Sequence, residues 1–420
     1  MSADKLNMKK LLVIAIILRL LVAAFLFHPD IKTFNFQASF LTKGVFNIYT
    51  YLADNNKTLP LKDGFVYFPL TYFTLGSYQW LASPILGKGF DSWLSNASSS
   101  SMVTDPNIFR YLVVLKLPYL ALDMAIAFLL KKFFTDQKKA EKAFIFWLFN
   151  PFTIILIYAF SNVDIFPVFL TVVAFLLLKK EKLLLAAATL GLAAGFKLYP
   201  LLFIPFLFLK GSNLKEKILS VFIPLLIVGL VILPFWSQAF VNSALVSGLT
   251  TRIFNPGFSI GFGESMIVGL FSLSILFFYA WLIDKKPKYF NYWTILILFI
   301  YSFSHFHIAW LLWVAPFLII LAVRKPSTSI SLFLLSCLAF MIPMLYDDRS
   351  MTISLFRVYS TWFDLLPTPF IVVQKFYDAY SLQSILHSLL AGGFMVIGYK
   401  LFADRKLRAG RKLFKEESNE

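Results

Sequence analysis

Seven clusters of lysine and arginine sit in the gaps between long apolar runs, and this alternation leaves few folds open to the chain. They fall at Lys5 to Lys10, Lys131 to Lys142, Lys179 to Lys182, Lys210 to Lys217, Lys285 to Lys288, Arg324-Lys325 and Arg405 to Lys415, and they hold 25 of the 39 basic residues. Cations concentrated in short loops between apolar segments mark the cytoplasmic side of a membrane protein. The net charge of +17 is therefore explained by topology, and no nucleic-acid motif accompanies it. Apolar residues make up 59% of the chain and charged ones 15%, which excludes a soluble globular protein. The single cysteine, Cys337, lies in an apolar run, so disulfides and cysteine metal sites are excluded.

The runs predict an all-α, polytopic membrane protein of about twelve transmembrane helices, forming one domain over residues 1–420. The helices are expected near 11–27, 108–130, 143–160, 165–178, 183–196, 198–209, 218–236, 264–283, 289–304, 308–323, 328–345 and 381–402. Both termini then lie on the cytoplasmic side, with a basic tail over 403–420. Residues 11–27 are too long and unbroken for the apolar core of a signal peptide and read as an uncleaved first helix. Residues 65–86 pose the main ambiguity. If they crossed, the following helix would leave Lys131, Lys132, Lys138, Lys139 and Lys142 outside, against the positive-inside rule. They read instead as a juxtamembrane or re-entrant element on the outer face. The segments 183–196 and 198–209 are short against the ~20 residues that a span needs, and they read as a hairpin of partial helices with Lys197 at its outer tip.

Two charges are expected inside the membrane. Arg19 lies eight residues from the cytoplasmic start of the first helix and Asp123 eight residues before Lys131. At ~1.5 Å per residue both sit roughly 12 Å from the same face, and an unpaired charge there is costly. The pattern predicts a structural ion pair.

The long first outer loop, 28–107, carries the chemistry. A carboxylate, Asp30, follows His28-Pro29 directly outside the first helix, and aromatic, amphipathic pieces follow it. On spacing alone Asp30 either caps the chain's exit from the membrane or accepts a proton at its surface. Asn96-Ala97-Ser98 is a glycosylation sequon only in a eukaryotic host.

Several short patterns recur in order along the outer side. They are Gly44 to Tyr49, Tyr67-Phe68-Pro69-Leu70-Thr71-Tyr72, Asn150-Pro151 with Ser161-Asn162-Val163-Asp164, and Gly195-Phe196-Lys197-Leu198-Tyr199-Pro200. Ser304-His305-Phe306-His307 with Trp310, Trp313 and Pro316 completes the set. Together they resemble the GT-C superfamily of integral membrane glycosyltransferases, and most nearly its polyprenyl-phosphate-mannose-dependent mannosyltransferases. Phe68 stands where that family's pattern has proline. The resemblance implies sugar transfer, mannose first, from a polyprenyl-phosphate donor to a lipid- or glycan-linked acceptor on the extracytoplasmic face, with inversion and with Asp30 as general base. It implies a plasma-membrane protein, or an endoplasmic-reticulum one in a eukaryote. Lys197, Arg252, His305, His307, Tyr67 and Tyr199 are then the candidates for holding donor phosphate and sugar, since cations and ring N–H groups suit phosphate oxygens. No metal ion or other cofactor is expected, because Asp30 is followed by Ile31-Lys32 rather than a second carboxylate. Asp54, Asp63 and Asp164 are alternative outer carboxylates, and Asp347-Asp348-Arg349 reads as a solvated loop. The competing expectation is a multi-pass transporter or lipid flippase, which would place its polar site at the membrane midplane on paired repeats; no repeat is evident.

Overall fold

Helices dominate the computed structural model, which describes residues 3–96, 105–247, 251–284 and 287–417. The first, α1 (Ala3–Phe25), stops short of Pro29, and α2 (Pro29–Ser39) starts afresh with that proline in its first turn. Proline disfavours helix in the residue before it and is tolerated where a helix begins. The two axes differ by 81°. Lys116 holds the corner. Its Nζ donates to the carbonyl oxygens of Ala23 at 2.8 Å and Leu26 at 2.9 Å, acceptors that a helix end leaves open.

α3 (Ile48–Asn55), α4 (Pro69–Leu86) and α5 (Phe90–Ser95) build the rest of the first loop region around α2. α4 lies on α2 at close range through Gly76, where a Cβ would come within 2.7 Å of Leu41 and 2.8 Å of the Ala38 carbonyl oxygen. Tyr72 Oη donates to Val45 O at 2.6 Å, and Tyr49 Oη to Tyr67 O at 2.7 Å. Hydroxyl-tipped aromatics thus tie the chain pieces to each other as well as packing them. α4 is not among the helices long and apolar enough to cross a membrane. Ala97 and Ser98 of the sequon lie outside the described residues.

α6 (Ile108–Lys131) leads to α7 (Gln137–Leu148) and α8 (Pro151–Ala159), the last two bent by 44° at Asn150-Pro151. Arg19 and Asp123 meet between α1 and α6. Arg19 Nε donates to Asp123 Oδ2 at 2.5 Å, Trp147 Nε1 to Oδ1 at 2.5 Å, and Tyr158 Oη to Oδ2 at 2.8 Å. A further Arg19 N–H reaches Leu148 O at 2.7 Å, and both charged side chains are fully buried. The carboxylate is thereby saturated with donors, the condition under which a buried ion pair is tolerable.

α9 (Ile165–Lys179) and α10 (Leu183–Ala194) run against each other. α10 turns at Phe196-Lys197-Leu198 into α11 (Tyr199–Lys210), and α12 (Leu214–Phe235) covers both arms of this hairpin. A two-stranded antiparallel ribbon follows, β1 (Gly257–Gly261) and β2 (Glu264–Ile267), and then α13 (Val268–Ile283), α14 (Tyr289–Phe303) and α15 (Ile308–Arg324). α15 is the centre of the core: every residue from Leu311 to Val323 is buried. α16 (Pro326–Met344), α17 (Pro369–Gln374) and α18 (Ala379–Glu417) close the bundle.

The architecture departs from the all-α expectation at one place. The segment expected as one helix from 264 begins as strand β2, because Gly261 and Gly263 take positive φ and fold the chain back on itself. Residues 403–417 of the expected basic tail continue α18 as helix. Among the described residues four helices have the length and apolarity to cross a membrane, or six if each bent pair counts as one; the other apolar helices run 10–17 residues.

Candidate active site

The 81° corner after α1 presents Asp30 at the start of α2. His28 prepares this position: its Nδ1 accepts the Asp30 N–H at 3.2 Å and lies 3.6 Å from Asp30 Oδ1. The Asp30 side chain is 41% exposed and lines a cavity of about 660 Å³, so its open surface faces that cavity. Burial within the surrounding protein pushes its carboxyl above the usual carboxylate range, Asp348 and Asp63 add to the rise, and His28 and Lys197 oppose it.

The same cavity is lined by Tyr67, Lys197, Tyr199 and His307. Segments far apart in sequence therefore converge on Asp30. The seam between two of them is short: Phe68 N donates to Phe196 O at 3.3 Å and Leu70 N to Gly195 O at 3.2 Å. Gly195 permits the approach, since a Cβ would fall 2.5 Å from Leu70 Cδ1. Leu201, Leu202, Pro205 and Leu273 add apolar surface to the cavity lining.

Lys197 is fixed more tightly than its place in a hairpin tip suggests. Its Nζ donates to both oxygens of Asp164, at 3.0 and 2.9 Å, and Trp313 Nε1 donates to Asp164 Oδ2 at 2.7 Å. The ammonium also lies 5.2 Å from the Tyr67 ring and 5.1 Å from the Trp313 ring, within cation–π range. Tyr199 stacks on Trp313 at 4.1 Å and Trp310 stacks on it at 4.9 Å. Asp164 is fully buried, which removes it from the alternative bases: it is a counter-ion. Its neighbour Ser161 holds φ at 54°, a left-handed backbone uncommon without glycine, in the turn that leads into α9, which Asp164 caps.

His307 Nδ1 accepts the Ala309 N–H at 3.2 Å, so the ring carries its hydrogen on Nε2. Burial first, then the nearby cations Lys197 and Arg252, lower its pKa to about 3, and it meets a ligand as a neutral donor. His307 also faces a second cavity, of about 320 Å³, lined by Arg252, His305, Tyr346, Asp347, Asp348, Tyr380 and Gln383 among others. Arg252 and His305 thus belong to this neighbouring space, separated from the Asp30 cavity by His307. Asp347 and Asp348 line the same cavity wall, where a free solvated loop was expected. Asp63 also lines the Asp30 cavity, whereas Asp54 does not. Among the described residues no three His, Cys, Asp or Glu side chains converge as metal ligands.

Trp313 and Asp164 stand out as site residues only once the chain is folded. Their motifs are visible in sequence, but nothing in the spacing joins α15 to the start of α9.

The model of glycosyltransferase family 87 matches residues 106–342, more than half of the chain and the part that carries Asp164, Lys197, Arg252, His307 and Trp313. The match begins beyond Asp30 and the whole segment 28–77. No curated protein matches the chain. With its apolar helices and more than half its length matched by this model, the chain belongs to glycosyltransferase family 87 and is a membrane glycosyltransferase of the GT-C type.

Proposed function

We propose that the protein moves a sugar, mannose first among the candidates, from a polyprenyl-phosphate donor to a lipid- or glycan-linked hydroxyl at the extracytoplasmic face, with both termini in the cytoplasm. The observation that carries this reading is the cavity itself, whose lining combines a carboxylate, a fixed ammonium and a neutral imidazole with leucines and a proline. Such a space suits a ligand that is polar at one end and hydrocarbon at the other. Its lining includes Pro29, Asp30, Thr33, Phe34, Asp63 and Tyr67 from the first loop region, which favours an outer-face enzyme over a carrier with a midplane site.

In this mechanism the polyprenyl chain lies along Leu201, Leu202, Pro205 and Leu273. The phosphate sits beside His307, between the Lys197 and Arg252 cations, with the Nε2–H of His307 donating to it. Asp30 takes the proton from the acceptor hydroxyl as that oxygen attacks the anomeric carbon. The bond from that carbon to the phosphate oxygen breaks, and the phosphate leaves with the electron pair. Attack opposite the leaving group inverts the anomeric centre. The growing charge on phosphate is met by groups already in place, which spares reorganisation in the transition state. A phosphate is stable as an anion, so one carboxylate suffices and no general acid is required.

The test is transfer by purified full-length protein from a panel of radiolabelled polyprenyl-phosphate sugars. Asp30→Asn keeps the side chain's shape and cannot accept the proton. Turnover is expected to fall by at least the ~10² to 10⁴ typical of general-base catalysis, with donor binding retained. Normal turnover in folded Asp30→Asn protein removes Asp30 from this role.

A further inference from the structure

The second cavity has a lining that phosphate binding does not explain. Beside His307 and His305 its lining holds one guanidinium, Arg252, and two carboxylates, Asp347 and Asp348, with the rings of Tyr346, Phe370 and Tyr380 and the amide of Gln383. Two carboxylates outweigh one guanidinium, and His305 is held neutral because burial, then Arg252 and His387, lower its pKa. An anion placed against the Asp347 and Asp348 wall would be repelled. A neutral polyol would not: its hydroxyls donate to carboxylates, accept from guanidinium and amide N–H groups, and its C–H faces pack on aromatic rings. The space, about 320 Å³, falls within the range of small-ligand pockets, roughly 300–1,000 Å³.

Two further observations connect this wall to the reaction. Asp348 is near enough to Asp30 to raise its proton affinity, and His307 lines both cavities. A molecule seated on Asp347 and Asp348 would therefore lie beside the base rather than at a distant surface. The carboxylates are also held in place. Thr368 Oγ1 donates to Asp347 Oδ1 at 2.8 Å, Ser350 N donates to Asp348 Oδ1 at 2.8 Å, and the His305 ring stacks on Tyr346 at 4.5 Å.

We propose that this cavity is the acceptor subsite and that it takes a hydroxyl-rich, uncharged head, a sugar or cyclitol ring, whose vicinal hydroxyls are gripped by Asp347 and Asp348 while one hydroxyl reaches past His307 to Asp30. This assignment rests on the glycosyl-transfer reading and adds the acceptor's chemical class to it. It also divides the cations: Lys197 and Arg252 serve the donor phosphate at the junction of the cavities, and the carboxylate wall serves the acceptor.

The experiment measures binding, apart from catalysis. Methyl α-mannoside stands for a glycan terminus, myo-inositol for a lipid head group, and inorganic phosphate for the anionic rival, each titrated calorimetrically into purified full-length protein. At least one polyol is expected to bind saturably, and phosphate is expected not to displace it. Asparagine at positions 347 and 348 retains the Oδ1 acceptors for Thr368 and Ser350 and removes only the charges. The Asp347→Asn/Asp348→Asn protein should therefore fold and bind the polyol about ten-fold more weakly or worse, as expected for lost charge-assisted hydrogen bonds. Thr58→Val, on an exposed turn outside both cavities, should bind as wild type. The proposal is overturned if neither polyol binds, if phosphate competes for the same place, or if the double variant binds the polyol normally. Polyol binding by a protein that transfers no sugar from any polyprenyl-phosphate donor would instead overturn the donor reading and leave the cavity assignment standing.

Discussion

Lys197 and Asp164 form a two-pronged ion pair, at 3.0 and 2.9 Å, that joins the tip of the α10–α11 hairpin to the start of α9. Trp313 closes it from α15 through an indole N–H. The pair thus fixes three helices and aims the ammonium into the cavity that Asp30 lines. Asp164 spends both oxygens on these donors, so the cation is oriented without being released to solvent. Orientation of this kind is what a group facing developing charge requires, because it costs nothing at the moment of reaction.

Removing one partner should be worse than removing both. Asp164→Ala leaves a half-buried ammonium without its counter-ion, a defect worth about 3 kcal/mol when a buried pair is broken, and should lower the melting temperature in detergent by several degrees. Asp164→Ala/Lys197→Met removes the stranded charge and should recover much of that loss while turnover stays low. Equal melting temperatures for the single and double variants would show that the two side chains are not coupled.

The Arg19–Asp123 pair makes a cleaner case of structural charge, since neither residue lines the cavities above. Asp123→Ala strands Arg19 among α1, α6 and α7 and also strips acceptors from Trp147 and Tyr158. A loss of about 3–5 kcal/mol is expected, visible as poor yield of folded protein. Arg19→Met/Asp123→Leu should yield more folded protein than Asp123→Ala. Wild-type melting of Asp123→Ala would contradict the role.

These two pairs differ in how far the sequence announces them. Arg19 and Asp123 are legible because membrane depth follows from counting residues to a basic cluster, and two opposite charges at one depth have few alternatives. Lys197 and Asp164 are both visible in sequence patterns, yet they lie 33 residues apart at the ends of different helices, and no periodicity encodes how those helices pack. The helical segments were similarly legible in position. Their bends at Pro29 and Pro151 and the strand ribbon at 257–267 were not, since glycine and proline mark a break without giving its angle. For the site, Asp30, Tyr67, Lys197, Tyr199 and His307 meet in one cavity, whereas Arg252 and His305 fall beyond His307. The side of a single imidazole on which a residue lands is decided by tertiary packing alone.

Lys116 is expected to matter out of proportion to its distance from the cavity. It is buried in α6 and caps the end of α1 at the corner that delivers Asp30. Lys116→Met keeps the stem and leaves the buried Ala23 carbonyl oxygen and the part-buried Leu26 one without their donor, about 1–3 kcal/mol for the buried group. Melting temperature should fall and kcat should fall with it, since Asp30 loses its fixed approach, while acceptor binding changes little. Unchanged kcat in folded Lys116→Met protein would mean that the corner holds without it.

The raised pKa of Asp30 makes opposite predictions for activity and stability. As a base it works only when ionised, so kcat/KM should fall as pH drops through its elevated pKa, and the acid limb should lie above the ~4 of an ordinary aspartate. His307, lowered to about 3, does not account for a limb above that value. Asp348 is one of the charges that raise the Asp30 pKa, so Asp348→Asn should move the limb toward lower pH. For stability the sign reverses. A carboxyl with a folded pKa above its unfolded one favours the fold only while protonated, and its ionisation weakens the fold increasingly as pH rises through that range. At neutral pH, therefore, Asp30→Asn should melt higher than wild type while losing turnover, the exchange of stability for activity expected of a strained functional group. A carboxylate that merely capped α2 would behave the other way, with Asp30→Asn melting lower at neutral pH and turning over normally, and thermal melts at two pH values on the assayed protein distinguish the two.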